Sequence, residues 1–385
     1  MTEGGVLYYG AVFVGSAALS LLFTPLALRL ALRGRFLDHP TGHKGHTSPV
    51  PYLGGLAIVL SFALVVAIAA SLRPPSSRLD ELVAILVVGV ILSFVGFLDD
   101  LKNLSPWVRL AIEVAGALVV WRTGAGLELF PHDALDAVFT VVWVVGITNA
   151  FNLLDNMDGL SAGVAAVGAG WFFVIAAANG QYLVAGLAAA LAGCALGFLR
   201  HNFHPARIYM GDAGSLFLGF MLAVLGVKLR FPGPTNVMFL VPVLVLGMAI
   251  LDTTLVTVCR LRSGRSPLQG GRDHMSHRLV FIGIPVPVAV ALIYTGALSS
   301  GLIALVVSRV DRVSAYLLGG LMFSTALFVG LLLARVPVYR GQEAWRIVDE
   351  VHGFESEGED APRTRQARVA SLFSAPAGGG RAASG

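Results

Sequence analysis

The feature that most constrains this chain is a succession of long apolar runs joined by short polar connections. Eleven of them, at about 7–31, 53–72, 82–98, 107–122, 135–152, 159–178, 181–199, 213–229, 236–258, 281–307 and 313–335, lie near membrane-spanning length. A helix rising 1.5 Å per residue needs roughly 20 such residues to cross the hydrocarbon layer. Only 13% of the 385 residues are charged and 56% are hydrophobic, whereas soluble domains carry about 25% charged residues. The expected fold class is all-α, a polytopic integral membrane protein with about 11 transmembrane helices and cytoplasmic catalytic loops. The fourth and fifth runs are the weakest, because both are short and the fourth contains Glu113.

Residues 1–340 read as one membrane domain. Met1 to Gly5 hold Glu3 and no lysine or arginine, so the first run is taken as a helix, not a cleaved signal. Residues 341–385 mix charges with Pro, Gly and Ala and bury too little to order themselves, which predicts a disordered cytoplasmic tail. Cys194 and Cys259 both lie inside apolar runs, where an isolated thiol behaves as a small buried hydrophobe. The net charge of +4 is modest, and no nucleic-acid partner is expected.

Lysine and arginine in the connections set the orientation. With the N-terminus outside, the inner connections hold thirteen of them, including Arg33, Lys44, Lys102, Arg109, Arg207, Arg265 and Arg278. The outer connections hold seven, including Arg73, Lys228 and Arg312, and the other seven of the 27 lie after Ala334. Under this topology five unusual polar stretches fall on the inner side. They are D-H-P-T-G-H-K-G-H-T-S-P-V-P-Y-L-G-G from Asp38, F-L-D-D-L-K around Asp99 and Asp100, and N-A-F-N-L-L-D-N-M-D-G-L from Asn149. The fourth runs from Leu199 to Ser215 and the fifth from Arg260 to Leu279. Outer connections hold no comparable constellation, which weakens a transporter reading, since transporters place polar sites near the midplane in broken helices.

Carboxylates at a membrane boundary are expensive unless paired or metal-bound. Asp99, Asp100, Asp155, Asp158 and Asp212 would repel one another without a counter-ion. An all-oxygen donor set suits Mg²⁺, with Mn²⁺ as a substitute, and Mg²⁺ commonly takes one or two carboxylates plus substrate phosphates. A diphosphate substrate would also explain the surrounding bases Lys44, His46, Arg207, Arg265, Arg272, His274, His277 and Arg278. Each feature has a plainer reading beside this one. Asp99-Asp100 alone is an ordinary solvated helix end, Gly54-Gly55 serves close helix packing as well as a substrate-facing role, and Arg260 to Arg272 suits orientation or anionic lipid heads.

The ordered blocks K-G-H-x-x-x-V-P-x-x-G-G, F-x-D-D, N-A-F-N-L-x-D-x-x-D-G-L, P-A-R-I-Y-M-G-D-A-G-S and R-x-G-R-S-P followed by D-H-x-x-H-R-L are similar to those of a known family. The chain resembles the polyprenyl-phosphate N-acetylhexosamine-1-phosphate transferases of the MraY/WecA superfamily, from about Asp38 to Leu279. The resemblance implies transfer of a sugar 1-phosphate from a UDP-sugar to polyprenyl phosphate, releasing UMP, at the cytoplasmic face of a bacterial inner membrane. Asp212 would be a principal Mg²⁺ ligand, while Asp99 and Asp100 would bind or deprotonate the lipid phosphate and help hold the metal. Asn152, Asp155 and Asp158 would order the nucleotide-facing site. His274, His277 and Arg278 would contact the sugar diphosphate and Lys44 the nucleotide, with His46, Asn149, Asn202, Arg207 and Arg265 completing the substrate-binding set. A homodimer is compatible with this reading.

The pattern also has departures. The usual Arg-Lys pair reads His43-Lys44, the H-x-H-H element reads His274-Met275-Ser276-His277, and D-G-x-D-G reads Asp155-Asn156-Met157-Asp158-Gly159. V-P-Y-L-G-G replaces the T-P-T-M-G-G of the peptidoglycan translocases, pointing to the branch that uses UDP-GlcNAc or a related N-acetylhexosamine for envelope polysaccharides. The alternatives are the phospho-MurNAc-pentapeptide transferase of peptidoglycan synthesis and, from another class, an ion-coupled transporter.

Overall fold

The computed structural model describes residues 3–38, 49–73, 79–231 and 239–339. Lys44, His46 and the 341–385 tail lie outside the described residues. Thirteen helices are described: α1 (Glu3–Gly34), α2 (Gly54–Leu72), α3 (Leu79–Lys102), α4 (Pro106–Val120), α5 (Asp133–Leu154), α6 (Leu160–Ala178), α7 (Tyr182–Asn202), α8 (Gly211–Lys228), α9 (Leu240–Val245), α10 (Gly247–Arg262), α11 (Met275–Phe281), α12 (Val286–Val307) and α13 (Arg312–Ala334). The only strands among the described residues, β1 (Leu37–Asp38) and β2 (Val50–Pro51), pair antiparallel. Helix ends carry ordinary punctuation. Asp80 and Glu81 open α3 and Lys102 closes it, which suits the helix dipole, and Asp311 caps α13 by accepting from the Val313 and Ser314 N–H groups.

Nine of these helices are long and apolar enough to cross a membrane, where eleven were expected. The fourth run forms α4, only 15 residues long. Its continuation is a single π-helical turn over Trp121–Ala125, ended by Gly124 at φ 80°. The ninth run is broken in two at Leu246, between α9 and α10. The break is chemically satisfied: the Ser300 hydroxyl donates to the Leu244 carbonyl at 2.5 Å. The multi-pass, all-α reading stands; the even spacing of full-length spans does not.

Helix α8 is the axle of the bundle. Every residue from Ala213 to Lys228 is buried, as fits a helix that is apolar all round, and α2, α3, α5, α6 and α7 pack about it. Elsewhere small residues let backbones approach, which matters because lipid supplies no hydrophobic drive between helices. At Gly193 and Gly197 of α7 a Cβ would stand 2.4 Å from the Phe13 and Ala17 carbonyls of α1, and the Ser20 hydroxyl donates to the Cys194 carbonyl at 2.8 Å. Both cysteines are free and buried, as expected. Helix α13 is outermost, with Leu317, Leu321, Phe323 and Phe328 exposed toward the lipid level.

At one end of the axle Glu81 of α3 pairs with Lys228 of α8. At the other, the C-terminal ends of α3, α5 and α7 meet the N-terminal end of α8, and there the polar stretches converge.

Candidate active site

The tip of α8 is shaped by two close approaches. Tyr209 and Met210, just before α8, accept the N–H groups of Gly54 (3.0 Å) and Gly55 (2.9 Å), and Tyr209 N–H donates to the Pro51 carbonyl at 2.8 Å. A Cβ on Gly55 would stand 2.2 Å from the Gly214 nitrogen, so the Gly54-Gly55 pair serves backbone contact between α2 and α8. Gly211 turns into α8 at φ 66°, the left-handed region glycine occupies without strain. A Cβ there would stand 2.4 Å from Asp100 Oδ2.

These contacts deliver Asp212 into a group of acids. Asp100 accepts the Asp212 N–H at 3.0 Å, so it lies across the N-terminus of α8, where a negative charge is favoured. Asp99 accepts the Leu104 N–H at 2.6 Å and pairs with Arg109, at the start of α4. The same guanidinium donates to Asp212 Oδ2 at 2.7 Å, bridging the two acids. Asn152 donates to Asp212 Oδ1 (2.8 Å) and to the Ser215 hydroxyl (3.0 Å). Asp155, at the end of α5, has its carboxyl pushed well above the usual aspartate range, by desolvation first and then by the charges of Asp212, Asp100 and Asp158. Asn149, one turn back, donates to Glu113 of α4 and to the Val145 carbonyl at 2.9 Å.

The remaining expected residues have more internal roles. Asp158 Oδ2 accepts the Ala206 N–H at 3.0 Å and pairs with His204 at 2.9 Å, holding the segment between α7 and α8. Asn202 is buried, accepts from Gly159 N–H (3.1 Å) and donates to the Ile208 carbonyl (3.0 Å), so both ends of its amide are tied into the fold. Arg207 is exposed beside this segment.

A second polar cluster lies between α10 and α11. Asp252 accepts from Met275 N–H at 2.6 Å and faces His274 Nδ1 at 2.8 Å, with both side chains buried. Asp273 takes a two-pronged contact from Arg260, at 2.8 and 2.7 Å, and the Tyr339 hydroxyl at 2.7 Å. Arg278 is fully buried and donates to the Asp273 carbonyl (2.8 Å) and the Leu333 carbonyl (2.9 Å), so it braces α11 against the end of α13. His277 is held neutral, its pKa lowered to about 3 by desolvation, then by the charges of His274 and Arg272. Arg265 is exposed and stacks on the Tyr339 ring at 5.0 Å. The two clusters are joined by the Ser276 hydroxyl, which donates to Asn156 Oδ1 at 2.6 Å. Asn156 and Ser276 are two of the positions that depart from the family pattern, and here they bond to each other.

Sequence reasoning assigned no site role to Arg109, Glu113 or Asp252. For Glu113 and Asp252 the available clue was an ionisable residue within an apolar run, which by itself marks a functional position. Asp99, Asp100, Asp155 and Asp212 are all-oxygen donors of the kind Mg²⁺ and Mn²⁺ prefer. Among the described residues no three His, Cys, Asp or Glu side chains are arranged to hold a metal by themselves.

A family model described as glycosyl transferase family 4 matches residues 82–230. The chain is 34% identical over 291 residues to a Bacillus subtilis protein named as a probable undecaprenyl-phosphate N-acetylglucosaminyl 1-phosphate transferase, covering 73% of this chain and 80% of the relative. It is 30% identical over 377 residues to a decaprenyl-phosphate N-acetylglucosaminephosphotransferase of Mycolicibacterium smegmatis, covering 88% and 91%. A phospho-N-acetylmuramoyl-pentapeptide-transferase of Lacticaseibacillus paracasei is 31% identical over 247 residues, covering 56% and 74%.

Proposed function

The chain belongs to glycosyl transferase family 4, and from that premise we propose that it transfers N-acetylglucosamine 1-phosphate from UDP-N-acetylglucosamine to a polyprenyl phosphate, releasing UMP. One observation carries the reading: Asp99, Asp100 and Asp212, with Arg109 and Asn152, converge at the tip of the buried axle, where apolar helices end. At that level a phosphate on a membrane-embedded chain and a water-soluble nucleotide sugar can reach the same groups. The choice of N-acetylglucosamine rests on the names of the two relatives that cover most of their length. The peptidoglycan transferase is the second reading, supported by a match over a shorter stretch.

In this reaction an oxygen of the lipid phosphate attacks the sugar-bearing phosphorus and the UMP oxygen leaves, by direct displacement. Arg109 holds a cation between Asp99 and Asp212, beside the path of the phosphates, and Asn152 fixes the rotamer of Asp212. Asp100 is oriented by the N–H groups at the start of α8. The Asp252–His274 pair steadies the first turn of α11, whose His274 and His277 serve the sugar diphosphate. Asp212, with one of Asp99 and Asp100 and phosphate oxygens of the substrate, would hold Mg²⁺ or Mn²⁺, which would supply neutralisation of charge on the transferring phosphates. The site faces the cytoplasm of a bacterial inner membrane in this reading, consistent with the distribution of lysine and arginine.

The test is purified protein with polyprenyl phosphate, Mg²⁺ and a panel of UDP-sugars, scoring UMP. Release with UDP-N-acetylglucosamine is expected. Release only with the UDP-MurNAc-pentapeptide would favour the second reading, and no release with any donor would refute both.

A further inference from the structure

A cleft of about 330 Å³ opens between the end of α10, at Cys259, Arg262 and Ser263, and the segment leaving α13, at Arg335, Val336 and Tyr339. None of the carboxylate site lines it. Arg262 and Arg335 are exposed, and among the described residues neither guanidinium has a hydrogen-bond or ion-pair partner. The acid of this corner is already committed, because Asp273 takes Arg260 and the Tyr339 hydroxyl. Arg265 adds a third cation at the rim, stacked on Tyr339.

The negative ends of the two helices do not cancel this charge. The Cys259 and Arg260 carbonyls accept from Ser263 N–H at 3.1 and 3.0 Å, and Arg265 N–H reaches Arg260 at 2.8 Å. On α13 the Leu333 carbonyl accepts from buried Arg278. These terminal carbonyls are thus occupied, while the Arg262 and Arg335 side chains are exposed. Within one turn of the arginines the surface becomes apolar, with Val258 and Leu261 on α10 and Leu331 and Leu332 on α13 all exposed. Helix α13 is one of the nine long and apolar enough to cross a bilayer, and exposed apolar side chains at this level meet acyl chains.

Cations at headgroup level above an apolar wall match an amphipathic anion, and the volume falls in the range of small-ligand sites. We propose that this cleft binds the phosphate headgroup of an anionic phospholipid, with Arg262 and Arg335 contacting the phosphate and the acyl chains lying along Val258, Leu261 and Leu332. The site does not depend on the transferase reading.

The experiment is native mass spectrometry of the full chain in detergent, titrated with phosphatidylglycerol or phosphatidylcholine, with inorganic phosphate as a separate arm. Wild type should retain phosphatidylglycerol preferentially. Arg262→Ala with Arg335→Ala should lose about tenfold or more of that preference, at roughly a few-fold to tenfold per arginine. Arg262→Lys with Arg335→Lys should keep most of it. Arg309→Ala with Arg312→Ala, at the opposite end of the bundle, should behave as wild type. Equal retention of the two lipids, or an unchanged preference in the double alanine variant, would overturn the proposal. So would displacement of the lipid by millimolar inorganic phosphate, which would make this a free-anion site.

Discussion

Asp212→Asn tests the site with almost no change of shape. Asp212 accepts from Asn152 at 2.8 Å on one oxygen and from Arg109 at 2.7 Å on the other. Both neighbours are donors, so an asparagine in this rotamer must turn its NH₂ toward one of them. One charge-assisted hydrogen bond is lost, worth about 1.5–3 kcal/mol. Part of that loss is offset, because Asp99, Asp100 and Asp155 then face one fewer negative charge. The net cost to folding is about 1–2 kcal/mol, a drop of several degrees in melting temperature at ~2–4 °C per kcal/mol. Catalysis should suffer far more, since removing one group that stabilises transition-state charge costs about 10²–10³ in kcat. The assay is UMP release at saturating substrates beside thermal melting in detergent. The expected result is a kcat at least a hundredfold down in a protein that still melts near wild type. Turnover within tenfold of wild type would refute the placement of Asp212 at the reacting phosphates.

Gly55→Ala should lower both melting temperature and activity, because its Cβ would meet backbone atoms of Gly214 and Met210 at 2.2 and 2.6 Å, an overpacking of about 1–3 kcal/mol or more; melting in detergent checks it. Asp252→Ala strands two buried donors, at His274 and Met275, and should cost about 2–6 kcal/mol, while Asp252→Asn keeps one acceptor and should cost roughly half. A denaturant titration of both would expose an error if they were equal. Asn156→Ala and Ser276→Ala should be non-additive in stability by about 0.5–3 kcal/mol, since they share one hydrogen bond; additive losses would mean that the bond contributes nothing. His277 has a folded pKa of about 3, below the ordinary ~6.5. The unfolded chain therefore binds the extra proton, so this histidine's contribution is intact above about 6.5 and is lost as pH falls toward 3. Melting between pH 8 and 5 should fall more steeply for wild type than for His277→Gln, and parallel curves would contradict the assignment.

Much of the site could be read in one dimension because its acids stand at helix ends. Asp99 and Asp100 close α3, Asp155 caps α5 and Asp212 opens α8, so alternating spans bring them to one surface whatever the packing details. Arg109 escaped notice for the opposite reason. As one cation beside a short connection it looks like an orientation determinant, and only the folding of α4 against α3 and α5 shows it bridging two acids. Asn202 was legible as polar but not as internal, since its partners Gly159 and Ile208 come from two different segments. The break at Leu246 left little trace in its run, because the hydroxyl that satisfies it belongs to Ser300, on another helix. Asp252, in contrast, was an ionisable residue in plain view within an apolar run, and its partner His274 had been singled out on its own account.

The Glu81–Lys228 pair has a consequence for how the molecule answers to its bilayer. Helices α3 and α8 are fastened to each other twice, by this pair at one end and by Asp100 on the Asp212 N–H at the other. Sliding by a single residue, a rise of ~1.5 Å, would undo both fastenings at once. The pair therefore behaves as a ruler, fixing the depth of the carboxylates relative to the opposite surface. Membranes of differing thickness impose mismatch that some part of a protein must absorb. With α3 and α8 held in register at both ends, Asp99, Asp100 and Asp212 keep their depth relative to Glu81 and Lys228.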